Sequence, residues 1–162
     1  MDIEKEYFET KEALYSRMDV LTQEMIQETD DVYAVLSNVS AMCMLLMPHV
    51  SWTGFYLWKQ GRLVLGPFQG KPAVAEIELG KGVCGTAAET RATQIVADVH
   101  ACANHIACDA STASEIVVPI LKEGVLYGVI DIDSRQKARF DEEDGKGLQR
   151  MGELLGEMME GK

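Results

Sequence analysis

The sequence predicts an α+β fold: a central antiparallel sheet with helices on one face and a ligand pocket under loops on the other. Two apolar patterns with helical spacing open the chain, and a third closes it. Between them the pattern changes to short alternating runs, separated by the turns Gln60-Gly61-Arg62 and Lys122-Glu123-Gly124. Helices that flank such hairpins are typical of a helix layer packed on an antiparallel sheet.

Three long helices follow from apolar residues that recur every three or four positions. The first is predicted over residues 3–27. The second is predicted over residues 31–47, and Pro48 ends it. The third begins near Asp141, which can cap it, and the acidic residues that follow favour the helix dipole.

The middle of the chain carries the strands and loops. Strands are predicted at residues 52–59, 74–79, 94–96, 115–121 and 125–132, and residues 63–65 start the return strand of the first hairpin. A short helix is predicted at 82–90 and a long functional loop at 100–114. We therefore expect one domain over residues 1–162. It comprises N-terminal helices (1–47), the sheet and its pocket loops (51–134) and a C-terminal helix (140–160).

Composition excludes several functional classes. The formal net charge is −11 and no Lys/Arg-rich run occurs, which argues against nucleic-acid binding. The charged start MDIEKEYFETKE has no apolar signal-peptide core, and no apolar run is long enough to span a membrane. We therefore expect a cytoplasmic protein whose four cysteines are reduced thiols.

Carboxylates end an otherwise apolar strand. Asp131 and Asp133 are two residues apart, so both point to one face, roughly 6–7 Å apart. Glu115 opens the preceding strand, which is expected to be its neighbour. Like charges this close either bind a cation or hold a proton between them. A solvated strand end without a role is the alternative.

Aromatic residues line one face of the first strand. Trp52, Tyr56 and Trp58 share that face, and Gly54 leaves a gap in which a small ligand could lie between indole and phenol. A sheet face packed against a helix is the simpler interpretation of this pattern.

Two cysteines lie in tracts of small and polar residues that are atypical of a core. They are Cys84 in GKGVCGTA and Cys108 in HIACDASTASEIVVPI. His105 could assist Cys108 in proton transfer. The spacing of Cys102, His105 and Cys108 also invites a zinc site, but no CxxC pair accompanies it, so no metal or cofactor is predicted.

Six segments in order resemble the free methionine-(R)-sulfoxide reductase family, which is built on a GAF domain. They are SWTGFYLW, LVLGPFQGKPA, GKGVCGTA, DVH, HIACDASTASEIVVPI and GVIDIDS. The resemblance covers about half the chain. It implies reduction of free, not peptide-bound, methionine-(R)-sulfoxide, with thioredoxin as the reductant.

The resemblance also implies residue roles. The sulfoxide-attacking cysteine falls on Cys108, and a second cysteine, which takes part in disulfide formation, falls on Cys84. The substrate pocket falls on Trp52, Tyr56, Glu115, Asp131 and Asp133.

The chain departs from the family pattern at two places that concern recycling. A further cysteine usually follows GPFQGKPA, and Val74 stands there instead. Ala101-Cys102-Ala103-Asn104 replaces the usual Phe-Pro-Gly run before HIACD. Cys84 is then the expected resolving thiol, and Cys102 is a substitute to be tested.

Two other interpretations remain. A GAF domain that senses a small molecule without catalysis would keep the aromatic and acidic residues and need no redox cysteine. A homodimer is allowed by Tyr7, Leu14 and Leu21, which repeat every seven residues. Packing of that stripe on the chain's own sheet is the alternative.

Overall fold

The computed structural model describes residues 2–104 and 109–162. Its elements in chain order are α1 (Lys11–Glu28), α2 (Val32–Leu46), β1 (Trp52–Lys59), β2 (Arg62–Gln69), β3 (Glu76–Ile77), α3 (Gly82–Thr90), β4 (Gln94–Val96), a 3-10 turn (Val99–Ala101), β5 (Ser114–Lys122), β6 (Val125–Ser134) and α4 (Glu142–Met159). Two residues singled out from the sequence, His105 and Cys108, lie outside the described residues.

The strands form one sheet in the order β3-β2-β1-β6-β5-β4. Each pair of neighbours that the structure describes is antiparallel. The two predicted hairpins, β1-β2 and β5-β6, lie side by side at its centre. The predicted central antiparallel sheet is therefore confirmed, and β6 is buried between β1 and β5.

The two faces of the sheet are covered differently. Helices α2 and α4 pack on one face, and α1 lies across both of them. Most strand residues of this face are apolar, and they include Phe55, Ile116 and Ile130. Among the described residues, α3 is the one helix that packs on the opposite face, against β5 and β6. The pocket face is thus covered by a helix as well as by loops.

Two predicted elements differ from the structure by more than two residues. Helix α1 begins at Lys11 instead of residue 3, because Thr10 is its N-cap and accepts a hydrogen bond from the Ala13 amide at 3.1 Å. Strand β3 is only two residues long, where the sequence pattern predicts residues 74–79. In both segments the periodic pattern of apolar residues is longer than the helix or strand that actually forms.

The residues that repeat every seven positions near the N-terminus pack mainly against the chain's own core. Leu14 and Leu21 are buried in the core that α1 shares with α2 and α4, whereas Tyr7 lies before the helix and is exposed. This stripe therefore gives no support to a homodimer. Among the described residues, no helix combines the length and apolar character needed to cross a bilayer.

A buried carboxylate joins the first and last helices. Asp144 is fully buried and accepts hydrogen bonds from Tyr15 Oη and Lys11 Nζ, each at 2.7 Å. Arg139 Nη1 lies 3.5 Å from the same carboxylate. The Asp141 backbone amide also donates to it, which completes a capping box at the start of α4. Because every oxygen of Asp144 is paired, its charge is stable in the core.

Replacing Asp144 with Ala should destabilise the fold by about 3–5 kcal/mol, because the change leaves the Lys11 and Arg139 charges without their shared partner. Urea denaturation measures this loss. Tyr15→Phe is the matched control, since it removes one hydrogen bond to the same carboxylate and should cost only about 1.5–3 kcal/mol. Equal losses in the two variants would contradict this account.

Candidate functional site

Three acidic side chains meet on the face of the sheet that α3 covers. In the β5-β6 register Glu115 is opposite Asp133, and Asp131 is one pair further along, opposite Val117. Residues opposite each other in an antiparallel pair point to the same face. The acidic cluster Glu115, Asp131 and Asp133 therefore results from two-residue alternation in neighbouring strands, as the sequence predicts.

Helix α3 brings a thiol to this cluster. Gly80, before the helix, and Gly82, its first residue, have positive φ angles of 81° and 62°, which suit glycine. A Cβ on Gly85 would come within 2.5 Å of the Glu78 carbonyl oxygen, so the small residue lets the helix pack closely. As a result, the thiol of Cys84 and carboxylate oxygens of Glu115 and Asp131 lie within 4.8 Å of one another.

The thiol is buried and stays protonated. Cys84 is 4% exposed. Burial, together with the nearby charges of Asp131 and Glu115, holds its pKa well above the ordinary value. This environment is the opposite of the electropositive setting that activates a nucleophilic cysteine. Cys84 is therefore poorly suited to make the first attack on a substrate.

Glu115 and Asp133 also favour their protonated forms. Burial raises the pKa of Glu115 well above its usual range, and the charge of Asp133 raises it further. Burial and the charge of Asp131 act in the same direction on the pKa of Asp133. Glu115 hydrogen-bonds with both aspartates. Protons shared in this cluster are available for transfer to a bound ligand.

A small cavity lies between the cluster and α3. Its walls are formed by Tyr56, Ile77, Gly82, Val83, Cys84, Glu115, Asp131 and Asp133. Only about 20 Å³ is open to a water-sized sphere. That volume holds about one water molecule, so an amino acid requires the cavity to widen.

Aromatic rings form the neighbouring wall. Trp52 is opposite Asp133 in the β1-β6 register, which places the indole beside the acidic cluster. The Trp52 and Tyr56 rings lie 6.2 Å apart at an interplanar angle of 21°, and Phe68 stacks on Trp52 at 5.1 Å. The polar ends of both rings are satisfied, because Trp52 Nε1 donates to the Lys71 carbonyl and Tyr56 Oη donates to the Val74 carbonyl.

Gly54 lies where two strands pack closely. A Cβ at this position would lie 2.3 Å from the Cβ of Phe68, so the glycine permits close approach of β2 at a bulge. Phe68, which is opposite Gly54 in the β1-β2 register, occupies the space beside this glycine. The stacking of Phe68 on Trp52 could not be anticipated, since the bulge shifts the register of β2.

Polar anchors flank the segment that contains Cys108. On one side, the Asn104 side chain accepts a hydrogen bond from the Gly82 amide at 3.2 Å and donates to the Gly80 carbonyl at the start of α3. On the other side, Asp109 lies 3.5 Å from Arg135 and 3.6 Å from Lys71. Hydrogen bonds from Ser111 and the two cations lower the pKa of Asp109 to about 2. Asn104 and Asp109, the described residues on either side of this segment, are therefore both held at the pocket face by polar contacts.

Comparison with known proteins agrees with this geometry. A GAF domain family model matches residues 23–160. The free methionine-R-sulfoxide reductase of Escherichia coli is 47% identical over 118 residues, 73% of this chain and 72% of that protein. The enzyme of the same name from Saccharomyces cerevisiae is 47% identical over 128 residues, 74% of this chain and 71% of that protein.

The chain belongs to the free methionine-R-sulfoxide reductase family of GAF domains. A solved structure of the Neisseria meningitidis reductase in complex with its substrate superposes with a TM-score of 0.93. The two sequences are 36% identical, and the match covers 99% of this chain and 96% of that one. The α+β architecture predicted from the sequence is thus that of the reductase family.

The site residues predicted from resemblance to the reductase family converge only in part within the described chain. Tyr56, Cys84 and the acidic cluster surround one cavity, and Trp52 lies beside it, stacked with Tyr56 and opposite Asp133. Cys102 lies apart, directly after the 3-10 turn, where its amide bonds to the Val99 carbonyl. Sequence reasoning missed Asn104. Its polar amide inside a small-residue loop is the signal that could have identified an anchor.

Glu115→Gln should raise the melting temperature at pH 8 by about 2–4 °C, equivalent to about 1 kcal/mol. The raised pKa of Glu115 means that the folded protein binds this proton more tightly than the unfolded chain does. Wild-type stability should therefore fall as the pH rises above 4.5, the ordinary pKa of the group, and the variant should fall less steeply, because Asp133 still contributes in the same way.

Thermal unfolding between pH 4.5 and pH 8 tests this dependence. Glu157→Gln, which changes an exposed glutamate on α4, is the matched control and should follow the wild-type curve. A Glu115→Gln variant that is less stable than the wild type at pH 8 would contradict the assignment of raised pKa values to the cluster.

Proposed function

We propose that this protein reduces free methionine-(R)-sulfoxide to methionine. The observation that carries the proposal is the meeting of a thiol, three carboxyl groups and the Tyr56 ring around one cavity, with Trp52 stacked on Tyr56 beside it. Its identity to the Escherichia coli and Saccharomyces cerevisiae enzymes supports the same conclusion. The acidic surface, with a net charge of −11, agrees with a small-molecule substrate.

The pocket chemistry matches a free amino acid. Asp131, Asp133 and Glu115 would pair with the ammonium group, and buried carboxylates need such a partner to carry charge. The sulfur and methyl group would lie against Trp52 and Tyr56. A methionine sulfoxide inside a peptide has a neutral amide in place of the ammonium, so it would leave the carboxylates unpaired. Substrate specificity therefore follows from charge.

We assign the first chemical step to Cys108. Its thiolate attacks the sulfoxide sulfur, the oxygen is transferred to Cys108 as a sulfenic acid, and methionine departs. The sulfur of the substrate is reduced and that of Cys108 is oxidised. An acid of the cluster, which favours its protonated form, supplies the proton that the sulfoxide oxygen requires.

We assign the resolving step to Cys84. Its thiol condenses with the Cys108 sulfenic acid, which forms a disulfide and releases water, and thioredoxin then reduces the disulfide to two thiols. Val74 cannot take this role, although its carbonyl binds the Tyr56 hydroxyl at the pocket wall. Cys84 lines the cavity, whereas Cys102 does not, and this favours Cys84.

Loss of free methionine-(R)-sulfoxide with dithiothreitol tests the assignment. Cys108→Ser should reduce turnover by more than about 10³-fold, as expected for removal of a nucleophile. Cys84→Ser should keep most activity with dithiothreitol but lose it with thioredoxin, because a small thiol can reduce the sulfenic acid directly. Cys102→Ser should match the wild type with both reductants.

Cys43→Ala is the control for loss of a buried thiol, since Cys43 packs in the core on the opposite face of the sheet. Binding of the sulfoxide without turnover in the wild type would instead identify a non-catalytic sensor. A disulfide from Cys102 to Cys108 in substrate-oxidised protein, detected by mass spectrometry, would overturn the role of Cys84.

A further inference from the structure

The cavity beside Cys84 is built from donors that bind metal ions. The Cys84 sulfur and one oxygen from each of Glu115 and Asp131 lie within 4.8 Å of one another. All three residues are at least nine-tenths buried. Thiolate and carboxylate are both zinc ligands. Donors of a tetrahedral zinc lie about 3.5 Å apart, so movements of about 1 Å would close this set around an ion.

A fourth donor points to the same place. Asp133 lines the cavity as well, and its Oδ1 atom is buried without a hydrogen-bond partner among the residues that the structure describes. A buried carboxylate oxygen normally has a partner. A cation bound between Cys84, Glu115 and Asp131 would provide one for Asp133.

The size of the cavity distinguishes an ion from the amino acid. About 20 Å³ is open to a water-sized sphere, which suits one ion or one water molecule. Methionine sulfoxide would have to displace the walls to enter. The sulfur donor selects a soft or borderline cation such as Zn²⁺ or Cd²⁺ over Mg²⁺ and Ca²⁺, which take oxygen donors.

We propose that this cavity is a site for one Zn²⁺-like divalent cation, held by Cys84, Glu115 and Asp131, with Asp133 or water as the fourth ligand. The bound cation occupies the place of the substrate ammonium and holds the Cys84 sulfur in coordination. It therefore acts as a reversible inhibitor that competes with the substrate and blocks the resolving thiol. This inhibitory effect rests on the proposed function, but binding itself does not.

Titration with Cd²⁺ tests the site, because a cadmium–thiolate bond gives a charge-transfer absorption in the ultraviolet. Reduced protein freed of metal by a chelator should bind one Cd²⁺ per chain with this absorption. Cys84→Ser should abolish the absorption, and Glu115→Gln should weaken Cd²⁺ binding by at least about 10-fold. Circular dichroism should show that both variants remain folded.

Cys102→Ser and Cys108→Ser are the matched controls, and both should retain the cadmium–thiolate absorption. An absorption that persists in Cys84→Ser, or one that disappears in either control, would overturn the proposal, as would absence of Cd²⁺ binding by the wild type. Turnover of the sulfoxide without any Cd²⁺ site would refute only the metal site. Cd²⁺ binding through Cys84 without turnover would refute only the reductase activity.

Discussion

The burial of three carboxyl groups on an apolar sheet is the constraint on which the site depends. Glu115, Asp131 and Asp133 lie on one face of two neighbouring strands, and burial raises the pKa of both Glu115 and Asp133. Such a cluster stores acid protons and favours a cation. The same environment acts on Cys84, because burial and the nearby acids together hold the pKa of its thiol high. One electrostatic environment therefore governs both the ligand and the thiol.

The two faces of the sheet have different roles, which allows the protein to accommodate these buried acids. The face under α1, α2 and α4 carries the large apolar core, and the buried Asp144 with its Lys11, Tyr15 and Arg139 partners joins the first helix to the last. Both oxygens of the Asp144 carboxylate have partners there. The opposite face has a smaller core beneath α3, and it accommodates the acids. Stability on one side thus permits electrostatic strain at the other.

Much of this arrangement follows from short-range patterns. Two-residue alternation predicts that Asp131 and Asp133 share a face, and the neighbouring hairpin strand adds Glu115. The contact of Cys84 with the acids is harder to predict, because it depends on how closely the glycines let α3 approach the sheet. The apolar pattern predicts a start of α1 that is too early, because Thr10 caps the helix inside that pattern. The position of Phe68 depends on a bulge that sequence spacing does not reveal.

The central claim is that buried carboxylates recognise the substrate through its ammonium group. Comparing kcat/KM for free methionine-(R)-sulfoxide and its N-acetyl derivative, with dithiothreitol as reductant, tests this most directly. The account predicts a preference for the free amino acid of about 10³-fold or more, because the acetylated compound leaves the acids unpaired. Similar values for the two compounds would contradict it, since the acidic cluster would then have no part in recognition.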